Sequence, residues 1–309
     1  MCPYLGHYLL ILDAITKPDW REEFKRLDGA YAPSTLRSYF SCFAAFEDWA
    51  IARGFSPLPA RPSLVAAYIQ STSHDLKPST LRNRVCAIRK IHLLTGHDDP
   101  TYGEIVNLAM RKAHRKMIAR PRQAKGITAN LLREIIDLQP DSPLGIRNKA
   151  LLHVGYDILA RRSELTALKI TDLDFLADGT AKVIVRRSKA DPYGRGRSAH
   201  ISKACAEMLR KWIERRNPNA DWLFQPVYRG AVIPRSISCT TVKRLIKNSV
   251  KILGVENADD YSSHSLRVGA AQELLRRGLT TSAIMRAGGW KSVNVLARYL
   301  EEAEVNVWA

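Results

Sequence analysis

Apolar residues recur at three- and four-residue intervals through most of the chain, which predicts helices. Alternation takes over in one stretch only, from about 178 to 201. One helix begins at Pro33, with Leu36, Phe40, Phe43 and Ala50 on its buried face and Phe46 and Trp49 beside it. A second begins at Pro78, where Leu81, Val85, Ile88 and His92 form the stripe. The two entrances repeat weakly, PSTLRSY against PSTLRNR, each a proline followed by a serine expected to cap. Shorter helices are expected over 61–69 and from Tyr102 to Met117. Helices follow near Thr128, over Arg147–Ala160, and over 204–216 and 240–252. In the alternating stretch, Asp178 and Gly179 form a hairpin turn, 182–185 a strand, 191–194 a turn and 197–201 a closing strand. The fold class expected is therefore mainly α with a small β-sheet.

The last stretch, Ser263 to Glu302, reads as three helices. Serines at its start are expected to cap the first, with Leu266, Ala270 and Leu274 buried. Thr280 or Thr281 caps the second, and Ala287, Gly288 and Gly289 stop it. Ser292 caps the third, which carries Tyr299 near its middle. Ahead of these, residues 119–126 (ARPRQAKG) have the composition of an extended basic linker. The expected organisation is a lead-in over 1–28, a helical domain over 29–118, a linker over 119–127 and a second domain over 128–309.

Charge sharpens this picture. The chain carries 48 Lys and Arg against 30 Asp and Glu, a net charge of +18 and a pI near 9.9. Such an excess favours a polyanionic partner, most commonly nucleic acid. On the helix from Pro78, Ser79, Asn83 and Lys90 lie opposite the apolar stripe, flanked by Arg82, Arg84 and Arg89, with Thr80 in the first turn. A helix entrance of that composition suits DNA, through backbone amides for phosphate and side-chain tips for base edges. A merely solvated basic face fits equally well. Arg120 and Lys125 in the linker, and Lys243 and Arg244 farther on, are further candidates for backbone contact. Five scattered cysteines and eight scattered histidines form no ligand pattern, so no metal is expected. Cys42 and Cys86 are expected to be buried or half-buried thiols, and His92 a core residue. No apolar run approaches the roughly 20 residues of a membrane span, and residues 9–12 are too few for a signal peptide. The expected setting is cytoplasmic.

Candidate chemistry gathers in the last stretch. His264 and Arg267 are three apart and share a helical face, and Trp290 and Tyr299 follow. Paired guanidinium donors suit the non-bridging oxygens of a phosphodiester, and a nearby tyrosine can serve as a covalent nucleophile. The residues HSLRVGAA, then AGGW, then the tyrosine resemble the tyrosine recombinase (phage integrase) family, and most of all its Cre branch.

That resemblance extends to ArgArgSerGluLeu at 161–165, which is similar to the family's first arginine motif and assigns Arg161 as the second phosphate ligand. Its neighbour Arg162 does not fit the spacing to Glu164, whose implied role is to orient Arg161. The family's hairpin lysine falls at Lys189, with Lys182 a weaker competitor. The resemblance implies a helical, SAM-like core-binding domain and a mixed α/β catalytic domain, forming a C-shaped clamp on DNA. It implies that Tyr299 forms a 3′-phosphotyrosyl link while Arg161 and Arg267 hold the phosphate. His264 assists proton transfer, Lys189 protonates the leaving oxygen, and Trp290 packs and hydrogen-bonds at the phosphate. It further implies double-stranded DNA with an inverted-repeat site, a homotetramer on that DNA, a Holliday junction, nucleoid association, and no cofactor, metal or ATP. The tail beyond Tyr299, with Val305, Val307 and Trp308, is an expected anchor on a neighbouring copy.

Overall fold

The structure, a computed structural model, describes residues 19–116, 123–186 and 196–301. It divides into two compact units, Met1–Arg120 and Pro121–Ala309. The first contains α1 (Trp20–Phe24), α2 (Pro33–Ile51), α3 (Pro62–Thr72), α4 (Pro78–Leu94) and α5 (Glu104–Lys116). Helix α2 packs on α4, and α3 on α5. Phe43, Phe46, Tyr68, Ile69, Leu81, Ile88 and Ile91 form the core.

Trp20 lies in that core, its ring 4.9 Å from that of Phe43 and its indole N–H donating to Glu47 Oε1 at 2.9 Å. Residues 20–27 therefore belong to this unit's packing rather than to a lead-in. Tertiary contacts of this kind leave little trace in the local sequence, because the partners are about twenty residues away. Phe40 closes over Trp20 at 5.1 Å but stays 41% exposed, so the stripe of α2 is centred one turn later than expected. His92 is a core residue. Its Nδ1 meets the carbonyl of Ile88 at 2.7 Å and its Nε2 accepts from the N–H of Ala60 at 2.9 Å. Both ring nitrogens are thus used by the neutral form, and burial holds the pKa below its usual value.

The entrances to α2 and α4 correct the capping expectation. Pro33 and Pro78 occupy the first helical position, so the capping places fall to Ala32 and Lys77, neither with a side-chain bond. The fixed φ of proline, not a serine hydroxyl, starts both helices. Cys86 is exposed rather than buried.

The second unit runs α6 (Ala129–Asp137), α7 (Pro143–Asp157), α8 (Arg162–Ala167), β1 (Leu173–Phe175), β2 (Ala181–Val185), β3 (Arg197–Ile201), α9 (Lys203–Ile213), β4 (Val227–Tyr228), β5 (Ala231–Val232), α10 (Cys239–Ile252), α11 (Ser265–Arg276), α12 (Thr281–Gly288) and α13 (Val293–Leu300). Helix α7 begins earlier than expected because Ser142 caps it ahead of Pro143. Most of it is buried, Arg147 and Asn148 included, because α9 packs on one side and α11 on another. Strands β1, β2 and β3 form an antiparallel sheet in that order, with Leu173 opposite Val183 and Val183 opposite Ala199. Along β2, Ala181, Val183 and Val185 are buried and the residues between them exposed, the period-two signature of a sheet with one solvated face. The loop from β2 to β3, with Lys189 and the 191–194 turn, lies outside the described residues. The linker's end does not behave as a tether. The N–H of Lys125 donates to Asp260 O at 3.1 Å and that of Ile127 to Ser265 O at 3.0 Å, with Ile127 fully buried.

Among the described residues no helix is long and apolar enough to cross a membrane. Their His, Cys, Asp and Glu side chains form no group of three or more that could hold a metal ion.

Candidate active site

Four backbone elements deliver the site. The first is the turn from α7 into α8, where Leu159 takes a left-handed φ of +50° and Arg161 stands at the N-cap of α8. From the third helical position Glu164 reaches back, its Oε2 accepting from the N–H of Arg161 at 3.1 Å, while Oε1 pairs with the Arg161 guanidinium. This is the returning half of a capping box. It fixes the arginine's backbone and side chain with one carboxylate. Glu164 is only 2% exposed, a buried carboxylate rather than a surface one. The cause lies in β3: Arg197 approaches the same carboxylate, Nη2 to Oε2 at 3.4 Å.

The second element is α11. His264 holds its N-cap position, and the preceding serines fold the turn instead of capping the helix. Ser262 Oγ accepts from the N–H of His264 at 3.1 Å, and Ser265 Oγ from the N–H of Ser262 at 2.9 Å. Residues 265–272 are all buried, so Arg267 projects into protein and is 0% exposed. Its guanidinium donates through Nη1 to the carbonyl of Leu159 and through Nη2 to that of Gly288 at 2.8 Å. Burial foremost, then the charge of Arg161, lowers its pKa to about 10, which leaves it charged at neutral pH.

The third element is the end of α12. Thr280 caps its start. At its end Gly289 takes φ +66°, and the N–H of Trp290 returns to Met285 O at 2.9 Å, a Schellman closure. That turn lays the indole of Trp290 over Arg267, with the guanidinium carbon 3.8 Å from the ring centroid, a cation–π contact away from water. Trp290 is buried, and its Nε1 has no hydrogen-bond partner among the described residues.

The fourth is α13, where Tyr299 is the penultimate residue and not central. Its ring stands edge-on to Trp290 at 5.2 Å, and its hydroxyl touches Nε2 of His264. Burial first, then the charges of Arg267, Arg161 and Arg162, press the His264 pKa down to about 4. The imidazole is therefore neutral at pH 7 and able to accept the phenol's proton through Nε2. Arg161, Glu164, His264, Arg267, Trp290 and Tyr299 thus converge in one place. Arg197 joins them without having been singled out. The signal for it was there: Arg197 shares the inward face of β3 with Ala199 and Ile201, an odd position for a cation.

The basic residues separate into two groups. On α4, Ser79, Arg82 and Asn83 are exposed and Thr80 half-buried. Arg84 instead bonds the Tyr68 hydroxyl, and Lys90 lies over the ring of Tyr31 at 4.9 Å, so both are engaged within their own unit. Arg89 is tied to Asp99 at 3.1 Å. In the second unit Lys125, Lys243 and Arg244 are exposed. Arg120 lies outside the described residues.

Residues 125–305 match the model of the phage integrase family. An integrase/recombinase XerD homolog of Selenomonas ruminantium is 29% identical over 97% of this chain and 91% of its own. The Cre recombinase of Escherichia phage P1 is 23% identical over 89% and 86%. The AGGW spacing therefore does not single out the Cre branch, since the Xer-type relative is more similar in identity and coverage. Among solved structures, XerH recombinase bound to palindromic difH substrate superposes with a TM-score of 0.65 at 14% identity, covering 87% of this chain and 76% of that one. A lambda integrase dimer on a core site gives 0.63 at 19% identity, covering 94% and 96%. These likenesses establish the fold, mainly α with a small sheet.

Proposed function

The chain belongs to the phage integrase family, and from that premise we propose that it is a site-specific tyrosine recombinase acting on double-stranded DNA. One observation carries the reading: the Tyr299 hydroxyl rests against a half-buried, neutral imidazole beside a fully buried arginine. Tyr299 attacks a phosphodiester, His264 Nε2 takes up the phenolic proton, and the 5′-oxygen of the next nucleotide leaves. The product is a 3′-phosphotyrosyl link and a free 5′-hydroxyl. Because the link retains the bond's energy, the hydroxyl of another strand can reverse the step without ATP. Two such exchanges in turn pass through a Holliday junction and join two duplexes, work for four copies on DNA.

Three cationic or donor groups meet the phosphate charge. Arg161 has one terminal nitrogen on Glu164 and the other unbonded to any described residue, open to a non-bridging oxygen. Arg267 contributes fixed positive charge from below, preorganised by two carbonyls. The unpartnered N–H of Trp290 supports a third donor, since a buried orphan N–H is uncommon without an absent acceptor. Lys189 is assigned the proton for the leaving oxygen on the family's pattern alone. The exposed Ser79, Arg82 and Asn83 of α4, and Lys125, Lys243 and Arg244, are assigned to DNA, with Thr80 and Arg120 beside them. Arg84 and Lys90 contribute less, being held within their unit.

The test is to incubate the protein with DNA carrying its target site and resolve the products under denaturing conditions. A covalent protein–DNA adduct is expected, absent in Tyr299→Phe, and recombinant molecules should appear with two sites. An adduct that persists in Tyr299→Phe overturns the assignment, and relaxed circles without recombinants would indicate a topoisomerase.

A further inference from the structure

Arg197 belongs to no motif considered so far, yet its surroundings resemble those of a site residue. Nη1 donates to Ala287 O at 2.7 Å, Nη2 to Ile158 O at 2.8 Å, and Nη2 also meets Glu164. Its side chain is 14% exposed, and its stem lies where a Cβ on Gly289 would fall, 2.9 Å from Arg197 Cδ. The contacts of Arg267 are to the next residue on each side: Leu159 O and Gly288 O. Two guanidinium groups therefore span the same pair of backbone segments in consecutive rungs. One segment, 158–161, leads to Arg161; the other, 287–290, leads to Trp290.

We infer that Arg197 is a positioning residue for strand cleavage: it holds Glu164 so that Arg161 is aimed, and it sets the spacing of the two segments across which the phosphate is bound. This inference rests on the recombinase reading and deepens it. The geometry asks for arginine in particular. Three acceptors in three directions need a planar group with several donors, whereas lysine offers a single compact charge. A cation bound only to carbonyls would serve packing alone; the shared Glu164 carboxylate ties this one to the substrate-facing arginine.

The experiment uses the full chain and nicked duplexes. From a random-sequence pool of nicked duplexes, wild-type protein covalently captures its own substrate, because the short 5′-hydroxyl strand diffuses away and the adduct persists. With the captured duplex, single-turnover adduct formation and duplex affinity are measured for wild type, Arg197→Lys, Arg197→Gln, Glu164→Gln and the double variant Arg197→Gln with Glu164→Gln. The expected result is affinity within about threefold of wild type and a cleavage rate at saturating duplex lowered on the order of 10- to 100-fold in both Arg197 variants, as for misplaced substrate-orienting groups. The double variant should be no slower than the worse single, since both act through one contact. Rates are referred to natively folded protein, and Arg197→Lys carries the test if Arg197→Gln does not fold. Wild-type cleavage rates in Arg197→Lys or Arg197→Gln, or additive losses in the double variant, overturn the inference while leaving the recombinase reading intact. Failure of wild type to form any adduct overturns both.

Discussion

Replacing Gly288 by alanine separates the geometry of this site from ordinary helix energetics. Gly288 closes α12, and at an unremarkable helical position alanine is favoured over glycine by about 1 kcal/mol. Here the added Cβ falls 1.8 Å from Cζ3 of Trp290, 2.3 Å from Cε3 and 2.7 Å from Cη2. An adjustment of a few tenths of an ångström does not relieve such contacts, so the indole must leave its place over Arg267. Losing a buried tryptophan's packing costs about 3–5 kcal/mol, and subtracting the helix preference leaves a net loss of about 2–4 kcal/mol. For a unit of this size that corresponds to a fall of about 5 to 15 °C in its unfolding transition. Calorimetry of the full chain reads the transition, and the adduct assay reads the site. The same substitution in a Trp290→Phe background should cost much less, because the outer ring atoms that clash are gone; that coupling is the specific signature. A neutral or stabilising Gly288→Ala, or no relief from the smaller ring, refutes the reasoning.

Three further outcomes are expected. Glu164→Gln leaves Arg161 and Arg197 adjacent with no countercharge in a buried place, and should destabilise the second unit by about 3–5 kcal/mol in denaturant titrations. His264 has a folded pKa near 4 against an ordinary 6.5; the unfolded chain takes up a proton that the folded site refuses. Its contribution is therefore complete above pH 6.5 and lost as pH falls towards 4, by no more than about 3 kcal/mol. Stability should accordingly vary less with pH across that window in His264→Gln than in wild type. Binding to duplex DNA should weaken linearly in log affinity against log salt, and Lys243→Ala and Arg244→Ala should each reduce that slope by about 1 if they contact phosphates.

Periodicity located the long helices because each has one face buried in a single core, as with Phe43, Phe46 and Ala50 of α2. It was less informative where a segment is enclosed on all sides. Residues 265–272 of α11 carry no polar face, and so the sequence did not reveal that Arg267 would have no solvent exposure. Serine-based capping rules named the wrong capping residue for α2, α4 and α11 because a proline, or a turn closed by other serines, decided the local geometry. Local spacing brought His264 and Arg267 together but was silent on Glu164's burial, which depends on a strand more than thirty residues later. Arg197 is the same case seen from the other side. Its contacts are to carbonyls, and carbonyl positions are set by tertiary packing rather than by side-chain identity.

The two closed cores have a consequence for redesign. Phe43, Tyr68 and Ile88 stabilise the surface bearing Ser79, Arg82 and Asn83, and they belong to a different core from the one that holds Trp290. Under the proposed reading, a surface assigned to DNA is thus built on a different core from the part that cuts. Randomising the outward positions of α4 should therefore change DNA binding and leave the chemistry unaltered, whereas libraries aimed near β3 would degrade cutting on every duplex alike.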